Sequence, residues 1–214
     1  MILGRSSRLV FEPLTVEHAV PLHAALADPR VYAHLGEAPP SLADVTADFA
    51  QRATGTLGRP ELRWVNVAVA LASSSGAVPD HRVYLGRLEA VLYPDGGDGV
   101  WGEIAYLFGA PYWGQGYATE ALAWLHAHLA AVAAQVLWAA VAPGNRASLA
   151  LLDRLGYRVV PPHEAPALGS YDAGDVCLRR RLSASDRAAE RGVAADEAAP
   201  PSSAGQAQSG PTRC

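Results

Sequence analysis

The chain contains no lysine, so all 17 of its lysine-plus-arginine residues are arginine. This absence excludes two kinds of chemistry. A Walker-type phosphate loop needs a lysine against the phosphates, and the usual pyridoxal-phosphate catalysis needs a lysine that forms a Schiff base. Neither kind of protein is expected here.

Cysteine is also scarce, since the chain has only Cys177 and Cys214. Two cysteines cannot build a disulfide framework or a cysteine-based zinc site, and their scarcity fits a reducing cytosol. The seven histidines lack the spacing of a zinc site with support from glutamate or cysteine. We therefore expect a cytoplasmic protein with no metal site.

Long apolar runs and net positive charge are absent as well. No run of about 18 or more apolar residues occurs, so no membrane span is predicted. The first residues, 1–8, lack the apolar core of a signal peptide. The net charge of −4 gives no basic face for nucleic acid. Neither a membrane nor a nucleic acid is an expected partner.

The composition indicates one domain followed by a tail. Half of the 214 residues are hydrophobic, which is enough for a substantial core. Beyond residue 183 the chain is mostly alanine, serine, proline, glycine and scattered charge, with almost no large apolar residue. Such a segment cannot offset its ordering entropy by burial. We predict a domain over residues 1–183 and a disordered tail over residues 184–214.

The pattern of apolar residues predicts a mixed α/β fold. In order it indicates a strand, two helices, three antiparallel strands, a helix, a strand, a helix and two strands. The predicted ranges are 8–12, 15–27, 41–53, 64–71, 83–93, 100–108, 117–133, 135–141, 145–155, 157–160 and 176–182. These elements predict a central sheet flanked by helices.

A short glycine motif opens the longest predicted helix. Gly114 and Gly116 stand one residue apart just before it. Glycine lets the backbone approach a ligand closely, and a helix start offers unpaired N–H groups to a phosphate. A tight loop before a core helix would need the same glycines. A dinucleotide fold is disfavoured because Thr119 replaces the third glycine and the motif follows an antiparallel meander.

Four segments resemble the GNAT acetyltransferase superfamily, and within it the RimJ/RimL-type N-acetyltransferases of ribosomal proteins. In family order they read RLVFEPL at 8–14, ADPRV at 27–31, EIAYLF with WGQGYATEA at 103–108 and 113–121, and NRAS with LGY at 145–148 and 155–157. The resemblance spans residues 8–182. It implies a mostly antiparallel sheet whose two cofactor strands splay apart.

The resemblance also implies an acetyl-CoA site. The glycine loop would bind the pyrophosphate, and the backbone of the preceding strand would bind the pantetheine arm. The family pattern begins with glutamine or arginine where this chain has Trp113, which is common in RimJ/RimL-like members. The implied cofactor-binding residues are Tyr106, Leu107, Phe108, Trp113, Gly114, Gln115, Gly116, Tyr117, Ala118, Thr119 and Asn145. Arg146 and Arg154 are further candidates for the phosphates, although arginines on a helix surface are usually only solvated.

Two residues are candidates for the chemistry. Glu103 lies in an apolar run and is the candidate base, and RimJ/RimL-like enzymes often carry a glutamate at this position. The alternative is that Glu103 is a structural carboxylate. Ser148 is the candidate acid for the departing thiolate, or else it only caps its helix. Many family members use a tyrosine four positions later, where this chain has Leu152.

The expected function is acetyl transfer from acetyl-CoA to a primary amine, directly within a ternary complex. The acceptor is either a protein N-terminus or a small-molecule amine. A CoA-binding regulator that transfers nothing is the alternative, because the common tyrosine is missing. A monomer and a homodimer are both compatible with the sequence.

Overall fold

The structure is a computed structural model that describes residues 1–55, 59, 61–72, 82–95, 99–186 and 188. Within these residues the chain forms one eight-stranded sheet and four α-helices. The strands are β1 (Gly4–Arg5), β2 (Leu9–Pro13), β3 (Arg63–Leu71), β4 (Tyr84–Pro94), β5 (Val100–Phe108), β6 (Ala134–Val141), β7 (Arg158–Val160) and β8 (Val176–Arg181). The helices are α1 (Ala19–Leu26), α2 (Leu42–Arg52), α3 (Tyr117–Ala131) and α4 (Arg146–Arg154). None of the helices in these ranges is long and apolar enough to cross a membrane.

The strand order is β1-β2-β3-β4-β5-β6-β8-β7. Every neighbouring pair is antiparallel except β5 and β6, which run parallel with α3 as the crossover between them. A parallel connection of this kind needs a long crossover, because both strands start at the same end of the sheet and the chain must return there between them. The predicted mixed α/β fold with a mostly antiparallel sheet is therefore confirmed.

The sheet separates two cores, because successive side chains of a strand point to opposite faces. We call the side covered by α3 and α4 the α3 face; its buried cluster includes Phe11, Leu88, Ile104, Leu125 and Leu137. We call the side covered by α1 and α2 the α1 face; its smaller cluster includes Leu14, Leu22, Leu26, Phe49 and Ala68.

Local sequence explains where the helices begin. Ser41 and Asp44 form a capping box before α2, with the Ser41 Oγ accepting from the Asp44 N–H at 3.2 Å. The Asn145 side chain accepts from the Ser148 N–H at 3.1 Å and caps α4. Helix α3 begins differently, because its N-cap residue Gly116 has a φ of 81° and provides no side chain.

The structure differs from the sequence prediction at several element ends. The helix predicted from Thr15 starts as a 3₁₀ turn over Val16–His18 and becomes α-helical only at Ala19. The strand β1 was not predicted, since two residues carry no detectable periodicity. His18, at the end of this 3₁₀ turn, is buried, and the Thr15 N–H donates to its Nδ1 at 3.0 Å.

Most of the predicted tail, residues 184–214, lies outside the described residues. In its described part, residues 184–186 are helical. Asp186 accepts from the Ser183 N–H at 2.8 Å and from Arg180 at 2.6 Å. These residues are therefore attached to β8, and the disorder of the remainder stays a prediction.

Candidate active site

The parallel strands β5 and β6 separate halfway along their length. Their pairing runs from Val100 opposite Ala134 to Glu103 opposite Trp138. Beyond this point β5 continues beside β4 as far as Phe108, and β6 continues beside β8 as far as Val141. Within the described part of the chain, the edge of β5 that faces β6 therefore has no strand partner over residues 104–108. This is the splayed arrangement that the resemblance implied, and it leaves backbone groups available for an extended ligand.

A loop over residues 109–116 connects the open end of β5 to α3. Gly114 and Gly116 both adopt left-handed backbone angles, with φ values of 72° and 81°. A Cβ placed on Gly114 would meet no heavy atom within 4 Å, so the loop is open there. The Trp113 indole N–H donates to the Phe108 carbonyl at 2.7 Å and ties the loop back to the strand. At the position where the family pattern has a polar residue, the Trp113 side chain therefore bonds the protein backbone.

The start of α3 has the features of an anion site. The first backbone bond into the helix runs from the Glu120 N–H to the Gly116 carbonyl at 3.0 Å. The N–H groups of Tyr117, Ala118 and Thr119 precede it and have no helical partner, which gives this end positive character. These donors and the glycine backbone fit a pyrophosphate.

Ser148 contacts a tyrosine across the α3 face. The Tyr106 hydroxyl donates to the Ser148 Oγ at 3.0 Å. Burial raises the pKa of Tyr106 to about 12, so its hydroxyl keeps its proton at neutral pH. Because the Ser148 oxygen accepts this bond, its own hydrogen is available to a further acceptor. The side chain that caps α4 is Asn145, and the Ser148 hydroxyl is thus engaged away from the helix backbone.

Glu103 is buried on the α1 face, with 5% of its surface exposed. Its Oε1 accepts from the Ser170 N–H at 2.7 Å and from the Ser170 hydroxyl at 2.5 Å. Its Oε2 accepts from the Gly169 N–H at 2.8 Å and lies 3.5 Å from the Tyr93 hydroxyl. The carboxylate therefore anchors the loop between β7 and β8, and the Tyr93 contact is the weakest of the four.

The structure brings some of the predicted residues together and separates others. Ser148 and Asn145 share the first turn of α4, and Tyr106 reaches Ser148 from β5. Glu103 points to the opposite face of the same strand, by the alternation of β5. The two candidate catalytic side chains therefore approach the splay from different faces of the sheet.

Sequence reasoning missed three groups near this site. Only the backbone of Tyr106 was implied in cofactor binding, yet its hydroxyl bonds Ser148 over a separation of 42 residues. Gly169 and Ser170 hold Glu103 from 66 and 67 residues away. Arg8 donates to the Gln115 carbonyl at 2.9 Å from 107 residues away. No spacing within the sequence signals contacts this distant.

Two other features lie outside the splay. A cavity of about 260 Å³ beside the paired halves of β5 and β6 is lined by Trp101, Trp138, Arg179 and Arg181 among others. It does not include the glycine loop or the Tyr106–Ser148 pair. Within the described ranges, no group of three or more His, Cys, Asp or Glu side chains could hold a metal ion.

The chain belongs to the GNAT acetyltransferase family, since the model of the acetyltransferase (GNAT) domain matches residues 8–158. This range includes the splay, the glycine loop and α4. No curated protein sequence matches the chain significantly.

Solved acetyltransferase structures share the fold. A GNAT-family acetyltransferase from Bacillus anthracis superposes with a TM-score of 0.61 at 17% identity, covering 85% of this chain and 99% of that one. The microcin C7 self-immunity acetyltransferase MccE, solved with acetyl-CoA and AMP, gives a TM-score of 0.63 at 12% identity, with coverages of 83% and 94%. The aminoglycoside acetyltransferase AAC(6′)-Ib, solved with coenzyme A, gives 0.58 at 13% identity, with coverages of 86% and 99%.

Proposed function

We propose that this protein is an N-acetyltransferase that uses acetyl-CoA as its co-substrate and a primary amine as its acceptor. The observation that carries the proposal is the end of the β5–β6 pairing at Glu103 and Trp138, followed directly by the glycine loop and α3. An unpaired strand edge beside a phosphate-binding helix start fits a long ligand with a diphosphate in its middle. MccE and AAC(6′)-Ib, which share the fold, were solved with acetyl-CoA and coenzyme A.

The proposed binding residues divide by chemistry. The backbone N–H groups of the loop and of the first turn of α3 hold the pyrophosphate. The open edge of β5 holds the pantetheine arm by backbone bonds, while its side chains pack. Asn145 fixes the start of α4 close to that arm. The full set is Tyr106, Leu107, Phe108, Trp113, Gly114, Gln115, Gly116, Tyr117, Ala118, Thr119 and Asn145.

We assign the proton transfers to Glu103 and Ser148. The acceptor nitrogen attacks the acetyl carbonyl carbon, so a C–N bond forms and the C–S bond breaks. Glu103 takes the proton that the ammonium loses, directly or through one water, where the long Tyr93 contact leaves room on its Oε2. Ser148 gives its proton to the departing thiolate, and Tyr106 steadies the Ser148 oxygen by the bond between them. The second proton that the nitrogen loses as it becomes an amide restores the Ser148 hydroxyl, so the products are the amide, the free thiol and one proton on Glu103.

The acceptor approaches from the α1 face in this proposal. Ala105, two residues beyond Glu103 on that face, is exposed in the middle of the sheet. The loop between α1 and α2 reaches the turn that follows β6, because a Cβ on Gly144 in that turn would lie 3.6 Å from the His34 ring. A protein N-terminus, as in RimJ/RimL-type enzymes, and a small-molecule amine are the two acceptor classes. A cytoplasmic monomer or homodimer completes the proposal.

A CoA-binding regulator without transferase activity is the second candidate. The bonding of Glu103 favours it, because four donors surround the carboxylate that would have to act as base. In that case Glu103 would serve only to hold the 169–170 segment.

A thiol-release screen separates these candidates. Purified protein would be mixed with acetyl-CoA and, in turn, with peptides, aminoglycosides and polyamines, and free thiol would be measured. Release that depends on one acceptor class would establish transfer and identify the class. Saturable binding of acetyl-CoA with no release above the acceptor-free rate would favour the regulator instead. No binding of acetyl-CoA would overturn both candidates.

A further inference from the structure

Arg8 is distant from the glycine loop in the sequence but contacts it in the fold. It lies just before β2, and its guanidinium extends to the start of α3. Its Nε donates to the Glu120 Oε2 at 2.7 Å, and its Nη1 donates to the Gln115 carbonyl at 2.9 Å. Its Cζ lies 4.5 Å from the centre of the Tyr117 ring. A Cβ placed on Gly116 would lie 3.4 Å from its Nη2. The guanidinium is thus held beside the loop by Glu120, by the Gln115 carbonyl and by the Tyr117 ring.

Glu120 holds this arginine in place rather than consuming its donors. The Glu120 carboxylate also accepts from the Ser6 hydroxyl at 2.7 Å, from the Ser7 hydroxyl at 3.0 Å and from the Arg8 N–H at 2.9 Å. A guanidinium carries five N–H groups. The bonds to Glu120 and Gln115 use one on Nε and one on Nη1, so within the described part of the chain three remain for a ligand. The Arg8 side chain is 45% exposed, so a ligand can reach them.

We infer that Arg8 binds the pyrophosphate of acetyl-CoA as a ligand of the glycine loop. Arginine is well suited to phosphate because its fork of donors can contact two oxygens at once. The loop has no lysine to supply positive charge, and the arginine enters the site from a segment more than 100 residues away. Glu120 acts as a positioning residue. This inference rests on the proposed use of acetyl-CoA.

The competing explanation is that Arg8 only braces α3 against β2. The two roles make different demands on the ligand. A phosphate contact affects only ligands that carry the pyrophosphate, whereas a brace affects every ligand of the splay or none. S-acetylpantetheine retains the thioester and the pantetheine arm and lacks all the phosphates. It is therefore the discriminating probe.

The experiment measures dissociation constants by calorimetry for the wild type, Arg8→Gln and Arg8→Lys. The control is Arg158→Gln, which removes the same charge from an exposed pair with Asp153 at 3.1 Å on the far edge of the sheet. Arg8→Gln should weaken acetyl-CoA binding about tenfold or more and leave S-acetylpantetheine unchanged. Arg8→Lys should fall between, and Arg158→Gln should match the wild type.

Other outcomes identify which idea has failed. Equal acetyl-CoA affinity in the wild type and Arg8→Gln would overturn the inference, and so would an equal loss for both ligands. A wild type that binds no acetyl-CoA would overturn the proposed function itself.

A second measurement needs no variant and so does not depend on folding of the mutants. Phenylglyoxal modifies exposed arginines, and peptide mass mapping reports the fraction of Arg8 that has reacted. Acetyl-CoA should protect Arg8 at concentrations where S-acetylpantetheine does not. Equal modification of Arg8 with and without saturating acetyl-CoA would contradict the contact.

Discussion

The two faces of the sheet carry different kinds of polar group. On the α1 face several polar groups form ion pairs, although Glu103 on the same face bonds neutral donors. Glu12 pairs with Arg82 at 3.2 Å, and Glu89 pairs with both Arg52, at 2.7 Å, and Arg87. On the centre of the α3 face they are neutral hydroxyl and imidazole groups, namely Tyr106 with Ser148 and His126 with Tyr157. The α3 face also carries ion pairs, namely Arg8 with Glu120 beside the glycine loop and Arg180 with Asp186 next to His126.

This difference suits the two halves of the proposed reaction. The neutral, half-buried hydroxyl pair of Tyr106 and Ser148 remains protonated at neutral pH and can donate one proton to a thiolate. The charges of the α1 face are largely satisfied by each other, so they shape the acceptor side without presenting a single dominant charge. We therefore expect changes at the glycine loop on the α3 face to affect acetyl-CoA binding, and changes at the Tyr106–Ser148 pair or at Glu103 on the α1 face to affect turnover.

The largest effect should come from Gly116→Val on the α3 side. Valine is strained at the φ of 81°, and its Cβ would occupy the loop 3.4 Å from the Arg8 Nη2. We expect the thermal shift caused by acetyl-CoA to disappear. Gly55→Val is the matched control, because Gly55 has a φ of 74° and no heavy atom within 4 Å of an added Cβ. A normal acetyl-CoA shift in Gly116→Val would show that the pyrophosphate binds elsewhere.

The parts of this site that sequence could predict are those whose residues are close in the chain. The loop from Trp113 to Thr119 and the Asn145 cap depend on contacts over three or four residues, and turn and capping chemistry determine them. The parts that sequence could not predict depend on the sheet. Arg8 meets Gln115 only because β2 begins beside the start of α3, and Ser170 meets Glu103 only because β8 pairs with β6.

The fold shows the same division. The order and type of the long elements followed from their apolar periodicity, and their ends moved by one to four residues. The separation of β5 from β6 has no signature in the strands themselves and was available only through the family resemblance. Tyr157 is a further case: it is buried, and its hydroxyl bonds to His126 over a separation of 31 residues, which no spacing within the sequence signals.

Acid should destabilise the α3 face through His126. Burial, and after it the charge of Arg180, lowers the pKa of His126 to about 3. In the unfolded chain the pKa is about 6.5. Because the folded pKa is the lower one, the neutral ring contributes its full stability above pH 6.5 and loses it as the pH falls toward 3. We expect a loss of up to about 1.4 kcal/mol for each pH unit in that window.

Urea unfolding between pH 7 and pH 4 would measure this effect. His126→Gln should show a shallower fall in the free energy of unfolding than the wild type, because glutamine does not titrate. His163→Gln, at an exposed position, is the control and should follow the wild type. Parallel curves for His126→Gln and the wild type would mean that carboxylates alone cause the acid loss.

On the α1 face, Glu103→Gln should separate turnover from binding. The amide cannot take a proton, so the rate of thiol release should fall about a hundredfold at neutral pH if Glu103 is the base. Acetyl-CoA affinity should not change. The amide NH₂ would also face one of the donors of Gly169 or Ser170, which should cost about 1–3 kcal/mol of stability.

The two consequences of Glu103→Gln can be read independently. Thiol release and urea stability would be measured on the same preparation. An unchanged rate with reduced stability would leave Glu103 as an anchor of the 169–170 segment and nothing more. An unchanged stability would contradict the four contacts that the structure assigns to the carboxylate.

The smallest effect should come from Ser148→Ala on the α3 face, since this change removes one neutral hydroxyl and leaves the Asn145 cap intact. We expect the rate of thiol release to fall about tenfold, as one hydrogen-bonding proton donor is lost, with little change in acetyl-CoA affinity.

Tyr106→Phe should lower the rate less, because the Tyr106 hydroxyl only steadies the Ser148 oxygen. If Ser148 and Tyr106 act as one unit, the double variant should be no slower than Ser148→Ala. Additive losses would show that Tyr106 contacts the reacting groups by itself, and the neutral α3 face would then supply two proton donors rather than one.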